Sequence, residues 1–119
     1  MKIGKLLLVL PCSLLFISGC KPSAYIQAAI QNQGNEPVKL VEIDYPSASF
    51  GVQQIPPRTI YHYQFKVQGS GNISITFVGN QDKSYTVVGP ELRQGDQGIV
   101  EVFLDATGSV HWNPVLTHK

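Results

Sequence analysis

The chain has 119 residues and is lightly charged: nine Lys or Arg face eight Asp or Glu, a net charge of +1. Its basic residues beyond the N-terminus, among them Lys39, Arg58, Lys66, Lys83 and Arg93, are scattered rather than clustered. That argues against nucleic acid, whose binding is driven by phosphate neutralisation, and equally against a polybasic membrane patch.

The first twenty residues form a separate unit. Lys2 and Lys5 make a positive start, and Leu6 to Ile17 is a 12-residue apolar run interrupted by Pro11 and Ser13. Crossing the hydrocarbon takes about 20 apolar residues, so this run is too short for a membrane span. A positive start, a short apolar stretch and the small residues Ser18-Gly19 before Cys20 describe a secretory signal peptide.

The four residues Ile17-Ser18-Gly19-Cys20 resemble the lipobox of bacterial lipoproteins. The resemblance implies cleavage between Gly19 and Cys20 and lipidation of Cys20, diacylated on sulfur. Residues 1–19 are then the signal peptide, 20–24 the lipidated cysteine with a short tether, and 25–119 the domain. Cys12 would be removed with the signal, so Cys20 would be the lone cysteine of a 100-residue mature chain. A lone thiol suits an oxidising compartment only when modified. Two or three acyl chains, each buried methylene worth roughly 0.8 kcal/mol, hold a protein on a membrane permanently. In Gram-negative bacteria an aspartate after the cysteine commonly retains lipoproteins at the inner membrane. Lys21 there implies the outer membrane in such a host. Only Lys21 to Ala24 separate Cys20 from the first strand-like segment, a reach of roughly 14 Å at 3.3–3.6 Å per residue. The domain and its partners are expected beside the headgroups.

From Tyr25 onwards the pattern is alternation with period two, broken by Gly, Pro, Asn and Asp every 8–12 residues, which predicts an all-β fold. Ile26, Ala28 and Ile30 share a face. So do Val41, Ile43 and Tyr45, against Leu40, Glu42 and Asp44. Tyr61, Tyr63, Phe65 and Val67 form the next stripe, then Ile73, Ile75 and Phe77, then Val100, Val102 and Leu104, then Val110 and Trp112. Gly69-Ser70-Gly71 is expected to close a hairpin, as are 79–82 and 106–108. The segment from Gly89 to Gly98 reads as a surface loop. Pro46, Pro56 and Pro57 disfavour central strands because proline lacks an N–H. Seven to eight short antiparallel strands predict one β-sandwich.

The stretch from Ile30 to Tyr45, with Asn32-x-Gly34, followed by Ile55 to Val67, resembles bacterial immunoglobulin-like domains, which implies an Ig or fibronectin III-like sandwich. Where such domains often carry Pro-Gly, this chain has Pro57-Arg58. With no Cys…Trp…Cys framework, the antibody type is excluded.

No catalytic motif is present, and Gly69–Gly71 precedes no helix that would make it a phosphate cradle. No enzyme activity and no cofactor are expected. His62, His111 and His118 are well separated in sequence; a metal site would require His62 and His111 to meet across sheets. The stretch Asp44 to Gly51 combines aromatics with small residues, so Tyr45, Ser47 and Phe50 are the candidate binding loop. The expected function is a membrane-anchored, non-enzymatic binding or assembly module of the cell envelope with a protein partner. Glycan or small-ligand binding through loop aromatics is the alternative.

Overall fold

The computed structural model describes residues 24–118. Eight strands follow one another: β1 (Ile26–Asn32), β2 (Val38–Tyr45), β3 (Ala48–Ile55), β4 (Ile60–Phe65), β5 (Gly71–Val78), β6 (Ser84–Leu92), β7 (Asp96–Leu104) and β8 (Val110–His118). They form two four-stranded sheets, in the orders β4-β1-β7-β8 and β3-β2-β5-β6. The all-β sandwich expected from the alternation is what the chain adopts. One pairing departs from the antiparallel expectation: β1 and β7 run parallel in the centre of the first sheet.

The core lies between the sheets and is built from the inward halves of the alternating stripes. Ile26, Ala28 and Ile30 meet Val100, Val102 and Leu104 in one sheet. In the other, Ile43, Ile73, Ile75 and Phe77 oppose them, all at most 2% exposed. Each such side chain other than Ala28 contributes about 1.5–3 kcal/mol when fully buried. The alternation in β2 is broken once: Lys39 and Leu40 both point outwards while Val38 and Val41 are both buried. β2 stays in step with β3 here but slips by one against β5, a bulge centred on Leu40, whose φ is +48°.

Three sequence expectations need correction. The glycines at 69–71 do not close a hairpin: β4 lies in the first sheet and β5 in the second, so this segment passes between sheets. The loop expected over 89–98 is mostly strand, with a turn only at 93–95 between β6 and β7. Pro90 is accommodated because β6 is an edge strand with no partner needing its missing N–H, and Pro114 sits likewise on edge strand β8. The candidate loop after Asp44 is a two-residue turn, Pro46-Ser47, between paired strands.

The connections sort onto two ends. At the end where β1 begins, the Gly98 N–H donates to the Tyr25 carbonyl at 3.2 Å, and the Gln68 N–H donates to Ser47 Oγ at 3.2 Å. Nearby, the Gly69 N–H donates to Gln94 Oε1 at 3.1 Å. At the opposite end, the Asn80 N–H donates to the Ala106 carbonyl at 2.8 Å. Asn32 is the polar keystone there, with 0% exposure. Its Nδ2 donates to the carbonyls of Glu36 and Ile55 at 2.8 and 3.0 Å, and its Oδ1 accepts from the Gly34 N–H at 3.0 Å. Arg58 takes the left-handed conformation, φ +58°, that glycine would adopt after Pro57, and its guanidinium donates to Asn35 Oδ1.

Candidate binding surface

The two long sides of the sandwich differ. On one, edge strands β6 and β8 close over each other: Trp112 of β8 lies on Gly89 of β6, so near that a Cβ there would be 2.6 Å from the indole. The ring is half-buried, and its buried Nε1–H has no acceptor among the described residues. On the other side are edge strands β3 and β4, bridged by aromatics. Phe50 and Tyr63 stack with centroids 3.8 Å apart and planes 17° apart, and Tyr45 packs on Phe65 at 4.3 Å.

The residues expected to form a binding loop are therefore only partly available. Phe50 is a strand residue at 8% exposure, its face covered by Tyr63. It is not an exposed loop aromatic. The sequence did not reveal this because Pro46-Ser47 lacks the Gly or Asn that marks two-residue hairpin turns. Tyr45 is half-buried. Burial first, then the neighbouring Tyr63 phenol, raises its hydroxyl above the usual tyrosine range. Ser47 is exposed but spends its Oγ on the Gln68 N–H. Tyr63, assigned to the core by its alternation, is 37% exposed at the rim. Gly19 and Cys20 lie outside the described residues.

The histidines do not converge. His62 on β4 and His111 on β8 sit at opposite edges of the same sheet, three strand spacings or about 14 Å apart across it and offset by two residues along it. His118 Nδ1 instead lies 2.9 Å from Asp96 Oδ1. Burial raises the Asp96 carboxyl, but the Arg93 N–H on its Oδ2 and the His118 ring outweigh it, leaving Asp96 below the usual carboxylate range. Among the described residues no group of three His, Cys, Asp or Glu is placed to hold a metal ion.

What the sequence did not single out is the outer surface of the β2–β3 pair. A shallow groove of about 460 Å³ runs there, lined by residues 40–42 and 49–53. Three features shape it. Gly51, opposite Glu42, contributes no side chain. The bulge lifts Leu40 to 62% exposure. Glu42 stands exposed beside both, and among the described residues the ion pair is Asp96 with His118, so Glu42 has no cationic partner there. The bulge could be suspected only from the three-residue spacing of Val38 and Val41, which breaks the alternation.

No family model matches the chain, and no curated protein matches it. Among solved structures, an NMR structure of a protein from Eubacterium rectale is similar, with a TM-score of 0.56 over 80% of this chain and 93% of that one. At 13% identity the likeness is one of fold: the chain shares the overall architecture of that protein.

Proposed function

We propose that the protein is a lipid-anchored, non-enzymatic binding or assembly module of the cell envelope, held beside the membrane through Cys20. The carrying observation is Ile17-Ser18-Gly19-Cys20 after a short apolar run, six residues before β1 begins at Ile26. With so short a tether the sandwich meets its partner at the membrane surface. A Gram-negative host would carry it on the outer membrane, given Lys21. The test compares the wild-type chain with Cys20→Ala by membrane fractionation and by mass of the mature N-terminal peptide. A diacylglyceryl-modified Cys20 at the N-terminus, with the variant lost from the membrane fraction, is the expected result. An unmodified Cys20, or equal fractionation of both chains, sinks the reading.

Glycan binding through the aromatics has one observation in its favour, the partly exposed Tyr63 at the rim. Its ring already stacks on Phe50, which leaves one face for a sugar. Titration of the folded protein with cell-wall fragments, followed by tyrosine resonances, decides it. Unchanged Tyr63 signals would end this second reading.

A further inference from the structure

Sheet edges expose unpaired N–H and C=O groups, and proteins blunt them with proline, charge or a cover. Here β6 carries Pro90 and lies under Trp112, and β8 carries Pro114. β3 has neither proline nor charge: Ala48 to Ile55 contains no such residue, the strand stands at the edge of its sheet, and among the described residues the ring that reaches it, Tyr63, stacks on the core residue Phe50. β4 also lacks proline, but the groove lies on β3. Gly51, which has no side chain, lies between the edge and Glu42, whose carboxylate has no cationic partner among the described residues. Leu40, between Lys39 opposite Gln54 and Val41 opposite Val52, lines the same groove two residues along from Glu42. Holding a leucine at positive φ costs about 1–2 kcal/mol, and bulges of this kind re-aim a side chain.

We propose that β3 is a docking edge for an extended segment of a partner protein, which adds as a fifth strand beside it. The partner places a Lys or Arg over Gly51 against Glu42 and, two residues away, an aliphatic side chain against Leu40. Successive residues on one face of a strand are two apart, so the pair reads basic-x-aliphatic in a strand parallel to β3 and aliphatic-x-basic in an antiparallel one. The proposal rests on the domain being a binding module and is independent of its anchor.

The test is photo-cross-linking in intact cells, with benzoylphenylalanine placed at Gln53 of the full-length chain and, as control, at Thr86 on β6. The expected result is one protein adduct from Gln53 and none from Thr86, with the linked peptide containing a basic and an aliphatic residue two apart. Glu42→Lys, checked as folded by circular dichroism, cuts the adduct about tenfold or more, because like charges at an interface cost several kcal/mol. Glu42→Gln cuts it less, and changing the partner's basic residue to Glu restores it in Glu42→Lys. No adduct from a folded chain, equal adducts from Gln53 and Thr86, or indifference to Glu42→Lys overturns the proposal. A product at twice the chain's own mass also overturns it, since the occupant is then a second copy. Fractionation of the same cells keeps the two readings apart: an adduct that persists while membrane association is lost defeats the anchor alone.

Discussion

Asn32 gives the most direct test of how this sandwich is held together. Asn32→Asp preserves shape and volume but replaces the Nδ2 donor with an oxygen that faces the carbonyls of Glu36 and Ile55. Two buried or part-buried carbonyls lose their donor, at about 1–3 kcal/mol each, so the cost at neutral pH is about 2–6 kcal/mol. For a domain of this size each kcal/mol lowers Tm by roughly 4–8 °C, so a fall of at least about 8 °C is expected. Burial and the two carbonyls disfavour the new carboxylate's charged form, which raises its pKa in the folded state above the unfolded value. A raised folded pKa confers its stability below the unfolded pKa, about 3.9, and loses it as pH rises. The gap between variant and wild type should therefore narrow on acidification. Thermal melts by circular dichroism between pH 7 and pH 4 measure it. A variant as stable as wild type at pH 7, or a gap that widens towards pH 4, would refute the keystone role of this amide.

Three further outcomes are expected. Asp96 is held below the usual carboxylate range, so its stabilisation is present above the unfolded pKa of about 3.9 and is lost as pH falls through the lower folded value. In urea titrations the difference between wild type and Asp96→Asn should shrink below about pH 4, and a constant difference would contradict this. Gly89→Ala puts a Cβ within 2.6–2.7 Å of three indole atoms, so Trp112 must shift. Overpacking costs about 1–3 kcal/mol, and the emission of the one tryptophan should move to the red; unchanged emission would mean the side is loosely closed. Phe50→Ala should cost about 3–5 kcal/mol as a core truncation. Removing the Tyr45 hydroxyl with Tyr45→Phe should change stability by less than about 0.5 kcal/mol, and equal effects would show that Phe50 is not a core residue.

The sandwich was legible because a half-buried strand writes its inner face into every second residue. The stripes Ile26-Ala28-Ile30, Ile73-Ile75-Phe77 and Val100-Val102-Leu104 all turn inwards. Topology was not legible: Gly69–Gly71 reads as a hairpin in either case, because glycine permits a crossover between sheets as readily as a tight turn. Pro90 and Gly89 read as loop residues, yet an edge strand tolerates the first and the Trp112 ring demands the second. The strand conformation at Phe50 was hidden for a related reason. Phe50 alternates correctly with Val52 as a strand residue, but the Pro-Ser turn before it gives no φ-positive signal. The groove needed three dimensions, since Leu40, Glu42 and Gly51 belong together only once β2 and β3 are paired.

Strand direction ties the two proposals to one geometry. β1 starts at the end where the Pro46-Ser47 turn lies, so β3 leaves that same end and runs outwards. Gly51 is three residues along β3, about 10 Å from the turn at the rise of an extended chain. Adding the tether's reach of roughly 14 Å puts the groove within about 25 Å of the headgroups when Cys20 carries lipid. Pairing along a single eight-residue edge is weak, as the marginal stability of an isolated two-stranded hairpin indicates. Confinement changes that balance, because a partner held on the same membrane meets the edge at an effective concentration that reaches the mM range for short flexible tethers. A weak edge would then be occupied more fully on a membrane than away from it. Cys20→Ala should leave the intrinsic affinity of the groove unchanged in solution while lowering its occupancy in the cell. Equal occupancy of anchored and unanchored chains in cells would mean that the edge binds strongly by itself.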